Sequence, residues 1–479
     1  MELSSYPYLN RGNKNFLSST GNASENAYRS YFGRITYDIL GRYLFQVNAR
    51  YDMSSRFNSA YRGGFFPSAS FGWIVTEEPW VKAMNLRALD FMKLRVSYGT
   101  LGNEKIGNYP WQSIMDLGSV PMYTATEIIS MMTAAQTAYA IRDITWETTK
   151  TWNVGVDLSM FRNRLSVTAD VFQKNTYNML LSRKIPDVLG YSDPQDNIGD
   201  MYTRGWEFQI GWNDRIGDFS YAASFNISDY KSVMGNLGGY QSLGSKIIKE
   251  GVEYNAWYGY HSPGLFMSQE EIDNAALLYT NVKPGDVRYT DLSGPDGEPD
   301  GIINAEYDRE ILGSSAPHYQ YGGNINLGWK NWNLSMAFQG IGYVLAKLDQ
   351  AMVYRDGDAY TFPVEYDKWY YSELKTPEQN AQAKYPRATL TNSAKNNYEQ
   401  MTDFWLFNGA YFRMKNITLS YTVPSRLTKK INVQRLRLYT AATDPFSISK
   451  FPQGWDPEAY SNLSAYIVKT FTVGAQITF

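Results

Sequence analysis

Apolar and polar residues alternate with a period of two along most of this chain, and that alternation predicts its secondary structure. Over Trp206–Trp212 the apolar set is Trp206, Phe208, Ile210 and Trp212, interleaved with Glu207, Gln209 and Gly211. Phe219–Ile227 and Trp332–Phe338 repeat the pattern, and Phe471, Val473, Ala475, Ile477 and Phe479 close the chain with it. One face is apolar or aromatic; the other is small and polar with few charges. The alternation predicts thirteen strands, at 31–38, 43–53, 67–76, 90–101, 147–160, 165–180, 203–213, 218–231, 315–329, 332–341, 409–423, 433–442 and 465–479. Most reach the about 9–11 residues a tilted membrane strand needs, whereas soluble strands average nearer ~5–6.

The connections decide between a soluble sandwich and a membrane wall. Short or moderate ones (39–42, 77–89, 161–164, 214–217, 330–331, 424–432) alternate strictly with long ones (53–66, 102–146, 181–202, 232–314, 342–408, 443–464). Outer-membrane barrels have short periplasmic turns and long extracellular loops, and a sandwich has no reason to keep that parity. Parity also places the strand-like Asn255–Tyr260 inside a loop, because a spanning strand there would invert every later connection. Thirteen antiparallel strands begin and end in the same direction, so they cannot close on themselves. Open edges are untenable in lipid. The expected fold is therefore all-β: the C-terminal portion of a larger, even-stranded transmembrane barrel, drawn on its own as an open curved sheet. Residues 1–30 are expected to be the remnant of an extracellular loop and 31–479 a partial barrel, with long extracellular loops near 102–146, 232–314 and 342–408. Met1–Asn10 has no basic start followed by an apolar core, so an exported protein would lack its own beginning here.

Composition narrows the function classes. The chain has 479 residues, no cysteine, and His261 and His318 as its two histidines. Thiolate zinc sites, disulfide scaffolds and cysteine nucleophiles are excluded. With 45 Lys+Arg against 47 Asp+Glu, there is no basic surplus to suggest nucleic acid as a partner. No apolar run approaches the ~18–20 residues of a membrane helix. A mean hydropathy of −0.42 still suits a barrel, whose strands present only one face to lipid. No P-loop, G-x-S-x-G, H-E-x-x-H or G-x-G-x-x-G motif occurs, and nothing in the sequence supports an enzyme.

Candidate site residues are few. Asp286, Asp291, Asp296, Glu298 and Asp300 crowd a Gly-rich stretch, and Asp291, Asp296 and Asp300 are candidate Ca²⁺ ligands. The spacing is not that of an EF-hand, since Pro295 and Ile302 occupy its fifth and twelfth positions; a solvated Asp/Gly turn is the competing reading. Arg435 and Arg437 sit on a polar strand face, where an ion pair with a neighbouring strand competes with contact to a substrate or plug. Trp405, Phe407, Tyr411 and Phe412 fit an interfacial aromatic girdle or a sugar-stacking cleft. The terminal Phe479, at the end of an alternating strand, resembles a barrel-assembly signal.

Several segments in colinear order carry a family resemblance. They are Y-F-G-R-I-T-Y-D (31–38), F-F-P-S-A-S-F-G-W (65–73), K-L-R-V-S-Y-G-T-L-G-N (93–103), W-E-T-T-K-T-W-N-V-G-V-D (146–157), G-D-V-R-Y-T-D-L (285–292) and Y-F-R-M-K-N-I-T-L-S-Y (411–421). The chain resembles the SusC/RagA type of TonB-dependent outer-membrane transporter of Bacteroidetes. The resemblance implies a 22-stranded barrel of which these would be strands ten to twenty-two, and active import of oligosaccharides or peptides. It also implies as partners a SusD-like lipoprotein lid, TonB–ExbB–ExbD acting through a plug that this chain lacks, and the barrel-assembly machinery. The rival readings are a secreted β-rich glycan-binding protein and a passive porin or adhesin barrel.

Overall fold

The computed structural model describes residues 23–123, 127–183, 185–239, 241–348, 369–387, 397–459 and 467–479. Thirteen strands form one sheet in strict sequence order: β1 (Tyr28–Ile39), β2 (Tyr43–Ser54), β3 (Gly63–Ile74), β4 (Leu89–Asn103), β5 (Glu147–Met160), β6 (Leu165–Tyr177), β7 (Met201–Ile216), β8 (Phe219–Met234), β9 (His318–Trp329), β10 (Trp332–Tyr343), β11 (Tyr411–Thr422), β12 (Arg435–Ser449) and β13 (Thr470–Thr478). Every neighbouring pair is antiparallel, and β1 and β13 are the two edges of an open sheet. They run in the same direction, as alternation over thirteen strands requires. Residues 1–22 of the expected N-terminal loop lie outside the described residues.

The register sorts side chains onto two faces. Phe208 stands opposite Ala169 and Ile227, and Val96 opposite Phe71 and Val154, which makes one face apolar across strands. Gln209 stands opposite Thr168 and Asn226, and Asp157 opposite Lys93 and Thr168, which makes the other polar. In a membrane the apolar face meets hydrocarbon and the polar face encloses water.

The six connections at one end are 40–42, 75–88, 161–164, 217–218, 330–331 and 423–434. The tightest need left-handed backbone: φ is +57° at Leu40 and +65° at Gly41, and Gly217 takes +59°. The connections at the other end are longer and fold into small units. Ala256–Tyr260 joins Ser242–Leu243, Lys246–Ile248 and Arg309–Gly313 in a four-stranded sheet within the β8–β9 loop, so this segment does not span the wall. A hairpin of Asp116–Tyr123 and Ile128–Ala135 rises from the β4–β5 loop.

The loops pack around buried apolar clusters. Phe57, Phe66, Ile106, Ile144 and Trp146 join the β2–β3 and β4–β5 loops. Met179, Met234 and Leu237 join β6–β7 to β8–β9. Tyr260, Leu265, Val287, Tyr289, Ile303 and Tyr371 join β8–β9 to β10–β11. Ala346, Leu348, Tyr398, Trp405 and Phe451 join β10–β11 to β12–β13. Burial pushes the Tyr289 phenol up from its ordinary value.

Candidate functional site: the polar face and its loop cap

The polar face divides into two kinds of surface. Towards β4–β7 it carries ion pairs. Arg95 donates to both oxygens of Asp157, at 2.8 and 3.0 Å, and to Asp170 at 3.0 Å, bridging three strands. On β2, Arg50 holds Asp52 at 2.7 Å. Across β8–β10 the face carries Asn226, Asn324, Asn326, Asn333 and Gln339 among serines, alanines and glycines. No Lys, Arg, Asp or Glu lies on it at the alternate positions 220–228, 320–328 and 333–339.

A second ionic cluster sits at the long-loop end of β11. Arg413, 2% exposed, donates to Asp456 at 2.6 Å and pairs with Glu458 at 3.3 Å. Lys415 holds Asp444 at 2.8 Å, and Gln339 donates to Glu458 at 2.8 Å. The β12–β13 loop is thereby drawn back over the polar face. Lys415 is an extra residue in the ladder with β10: Ala337 stands opposite Asn416 and Phe338 opposite Met414. This bulge exchanges the parity of the strand. The signal is legible in the sequence, where apolar residues change from even positions (Phe412, Met414) to odd ones (Ile417, Leu419, Tyr421). The carboxylate partners of Arg413 are not legible: Asp456 is 43 residues away, and it and Glu458 lie in a loop.

Above the sheet, Asp286 ties two loops together. It is 5% exposed and accepts from Arg387 at 2.7 Å and from Asn397 at 2.9 Å; Asn397 in turn accepts from the Val287 N–H at 2.7 Å. His318 lies between Asp229 (2.7 Å) and Glu253 (3.2 Å) at the top of β9. His261 pairs with Asp403, which also accepts from the Ser262 N–H at 2.8 Å.

The three candidate Ca²⁺ ligands are engaged separately. Asp291 accepts from the Gly301 N–H at 2.7 Å and Asp300 from the Ile302 N–H at 2.9 Å, while Asp296 is exposed. Among the described residues no three His, Cys, Asp or Glu side chains stand close enough to hold a metal ion. What organises this loop is Asp308. Fully buried, it accepts from the N–H groups of Leu292 (2.8 Å), Ser293 (3.1 Å) and Asn304 (2.7 Å). Replacing Asp308 with Ala strands three donors, at about 1–3 kcal/mol for each buried one. Limited proteolysis should then cut between residues 291 and 308 much faster than in the parent; equal cutting rates would show that the loop does not depend on Asp308.

Arg435 and Arg437 do lie at the polar face, but among the described residues neither pairs with a carboxylate. Arg437 instead lies 5.7 Å over the Tyr439 ring. The aromatic quartet divides. Phe412 stands beside Phe338 (5.6 Å) and Phe446 (6.4 Å) on the apolar face, as a girdle residue would. Trp405 is fully buried in a loop core and donates to the Asn397 carbonyl at 2.6 Å, so it is no girdle residue. Burial of the indole with a partner for its N–H explains the difference. Phe479 follows the last strand and is exposed.

A wall of long antiparallel strands, apolar outside and polar inside, with long loops at one end and short turns at the other, defines a transmembrane β-barrel of the outer membrane. The family sequence profile described as "TonB dependent receptor-like, beta-barrel" matches residues 3–442, and the chain belongs to that family. It is 27% identical to TonB-dependent receptor P3 of Formosa agariphila over 94% of its own length and 45% of that protein. It is 28% identical to TonB-dependent receptor SusC of Bacteroides thetaiotaomicron, over 96% and 44% respectively. The chain thus spans about half the length of the curated relatives it matches. The structure of the RagAB peptide importer in its open-open state superposes with a TM-score of 0.77 at 22% identity, over 98% of this chain and 48% of that one. That likeness shows the fold: thirteen strands covering part of a larger wall.

Proposed function

We propose that this chain forms the C-terminal part of the wall of an active importer that carries oligosaccharides or peptides across the outer membrane. In this reading the long loops face the cell exterior and meet a SusD-like lipoprotein. TonB–ExbB–ExbD drives transport through a plug outside this chain, and Phe479 is read by the barrel-assembly machinery. The observation that carries the reading is the polar inner face, which combines an amide- and hydroxyl-rich stretch over β8–β10 with an inward-drawn loop pinned by Arg413. Amides and hydroxyls exchange hydrogen bonds with neutral polar oligomers without the desolvation cost of fixed charges. The relatives' names support the same reading, since SusC and the RagAB importer belong to the group the chain matches.

Two measurements test it. Single cysteines placed at Asp116, Asp296 and Arg215 in the intact protein should report its orientation: a membrane-impermeant maleimide on whole cells should label the first two and spare the third. Labelling at 215 alone would invert the topology. For transport, deleting the intact gene should abolish uptake of a labelled oligosaccharide or peptide, and a protonophore should do the same in the parent strain. Uptake indifferent to the protonophore would favour a passive porin.

A further inference from the structure

The two longest short-end connections differ from the tight turns beside them, and both carry apolar and basic side chains outward. Connection 75–88 contains the helical turns Val75–Glu77 and Pro79–Ala83. Val81 is buried beneath it, whereas Trp80, Met84 and Leu86 are about half exposed. Glu78 fixes where this connection lies. It accepts from the Tyr43 hydroxyl at 2.5 Å and the Trp73 indole N–H at 3.0 Å, which hold its carboxyl below the usual range. Tyr43 and Trp73 stand opposite each other on the apolar face, next to Phe45 and Phe71. The connection is therefore folded against the lipid-facing side, and its exposed apolar residues continue that band beyond the ends of the strands.

Connection 423–434 is likewise built of helical turns and carries more charge. Ser425–Thr428 and Lys429–Ile431 are helical turns; Thr428 and Val433 are buried, and Leu427 is exposed. Arg426, Lys429 and Lys430 are exposed around Leu427, and among the described residues none has a carboxylate partner. The rest of this rim is biased the same way. Lysines and arginines number one in 40–42, two in 75–88, two in 161–164, one in 330–331 and three in 423–434; the acids are Glu77, Glu78 and Asp218. The whole chain, by contrast, carries 45 basic against 47 acidic residues.

We propose that these two connections are membrane feet. Trp80, Met84, Leu86 and Leu427 rest at the acyl boundary of the periplasmic leaflet, and Arg87, Arg426, Lys429 and Lys430 bind the phosphates of anionic phospholipids there. Two observations point to lipid rather than to a protein: the exposed apolar residues of connection 75–88 continue the lipid-facing wall, and Arg426, Lys429 and Lys430 surround the exposed Leu427 without a carboxylate partner among the described residues. The leaflet named rests on the orientation proposed above; contact with lipid does not.

The test uses the intact protein in phosphatidylethanolamine vesicles with and without phosphatidylglycerol. Nitroxide labels at W80C and L427C should collide mainly with oxygen, which partitions into lipid. A label at D218C, in the β7–β8 turn, should collide mainly with a water-soluble nickel chelate. The triple variant R426Q/K429Q/K430Q should lower the enrichment of brominated phosphatidylglycerol around the protein by about fivefold or more. Nickel-dominated collisions at 80 and 427, or shielding of both labels from both reagents, would overturn the proposal in favour of water or a covering protein. Unchanged lipid enrichment in the triple variant would overturn its anionic half. Collision rates in vesicles do not depend on which way the barrel faces, so an orientation error found by cell labelling leaves this result standing.

Discussion

Expressed alone, this chain should not yield a stable membrane-inserted monomer. Among the described residues the outer sides of β1 and β13 have no hydrogen-bonded neighbour. Both edge strands are exposed along nearly their whole length, with Ile35 73% and Val473 86% exposed. In hydrocarbon each backbone N–H or C=O without a partner costs several kcal/mol, and roughly half of those on an edge strand point outward. The total exceeds the ~5–15 kcal/mol that stabilises a typical protein. The edges cannot satisfy each other by extending the antiparallel pattern, because they run in the same direction. Refolding into lipid should therefore give aggregates or oligomers with joined edges. A heat-resistant monomer whose edge amides resist hydrogen exchange would refute this and imply closure by a route the present pairing does not contain.

The second large effect separates the two faces at adjacent residues. Phe208 lies near the middle of β7 on the apolar side, between Ala169 and Ile227, whereas Gln209 faces Thr168 and Asn226. In the intact protein, Phe208→Arg should destabilise the barrel by about 2–4 kcal/mol, the cost of a cation near the bilayer midplane; Gln209→Arg, in the aqueous interior, should cost little. Chemical denaturation in lipid or detergent would measure both. Equal losses would mean that the faces are wrongly assigned.

The wall was legible in the sequence because its physics is local: a period of two, repeated over strands long enough to cross a bilayer. Parity of connection length, also a local property, kept Ala256–Tyr260 out of the wall. The limits appear where geometry departs from simple alternation. Strand β12 was expected to end at 442 but runs on to Ser449. Thr443-Asp444-Pro445 is an irregularity within the strand, with Asp444 at φ +48°, and pairing resumes at Phe446 opposite Met414. The expected final strand began at 465; its first two residues lie outside the described ones, and β13 starts at Thr470. The 116–135 hairpin was not anticipated, since I-I-S-M-M has no alternation to read. Contacts between distant loop residues were illegible for a different reason. Arg413 with Asp456, and Asp286 with Arg387, are pairings that only the folded geometry selects. Trp405 shows the converse error: an aromatic residue near a strand end looks like a girdle until a buried partner for its N–H is known.

The loop cores have a consequence for how such receptors diversify. Each buried cluster is shared by neighbouring loops, and none of the four is made within one loop alone. A loop exchanged singly between two relatives would therefore leave half a core behind, with a cavity where its partner side chains had been. The unit of successful recombination is the adjacent pair of loops together with the strands between them. Residues such as Trp405 and Phe451, or Phe57 and Trp146, should consequently be inherited together, while the wall beneath tolerates their replacement as a block.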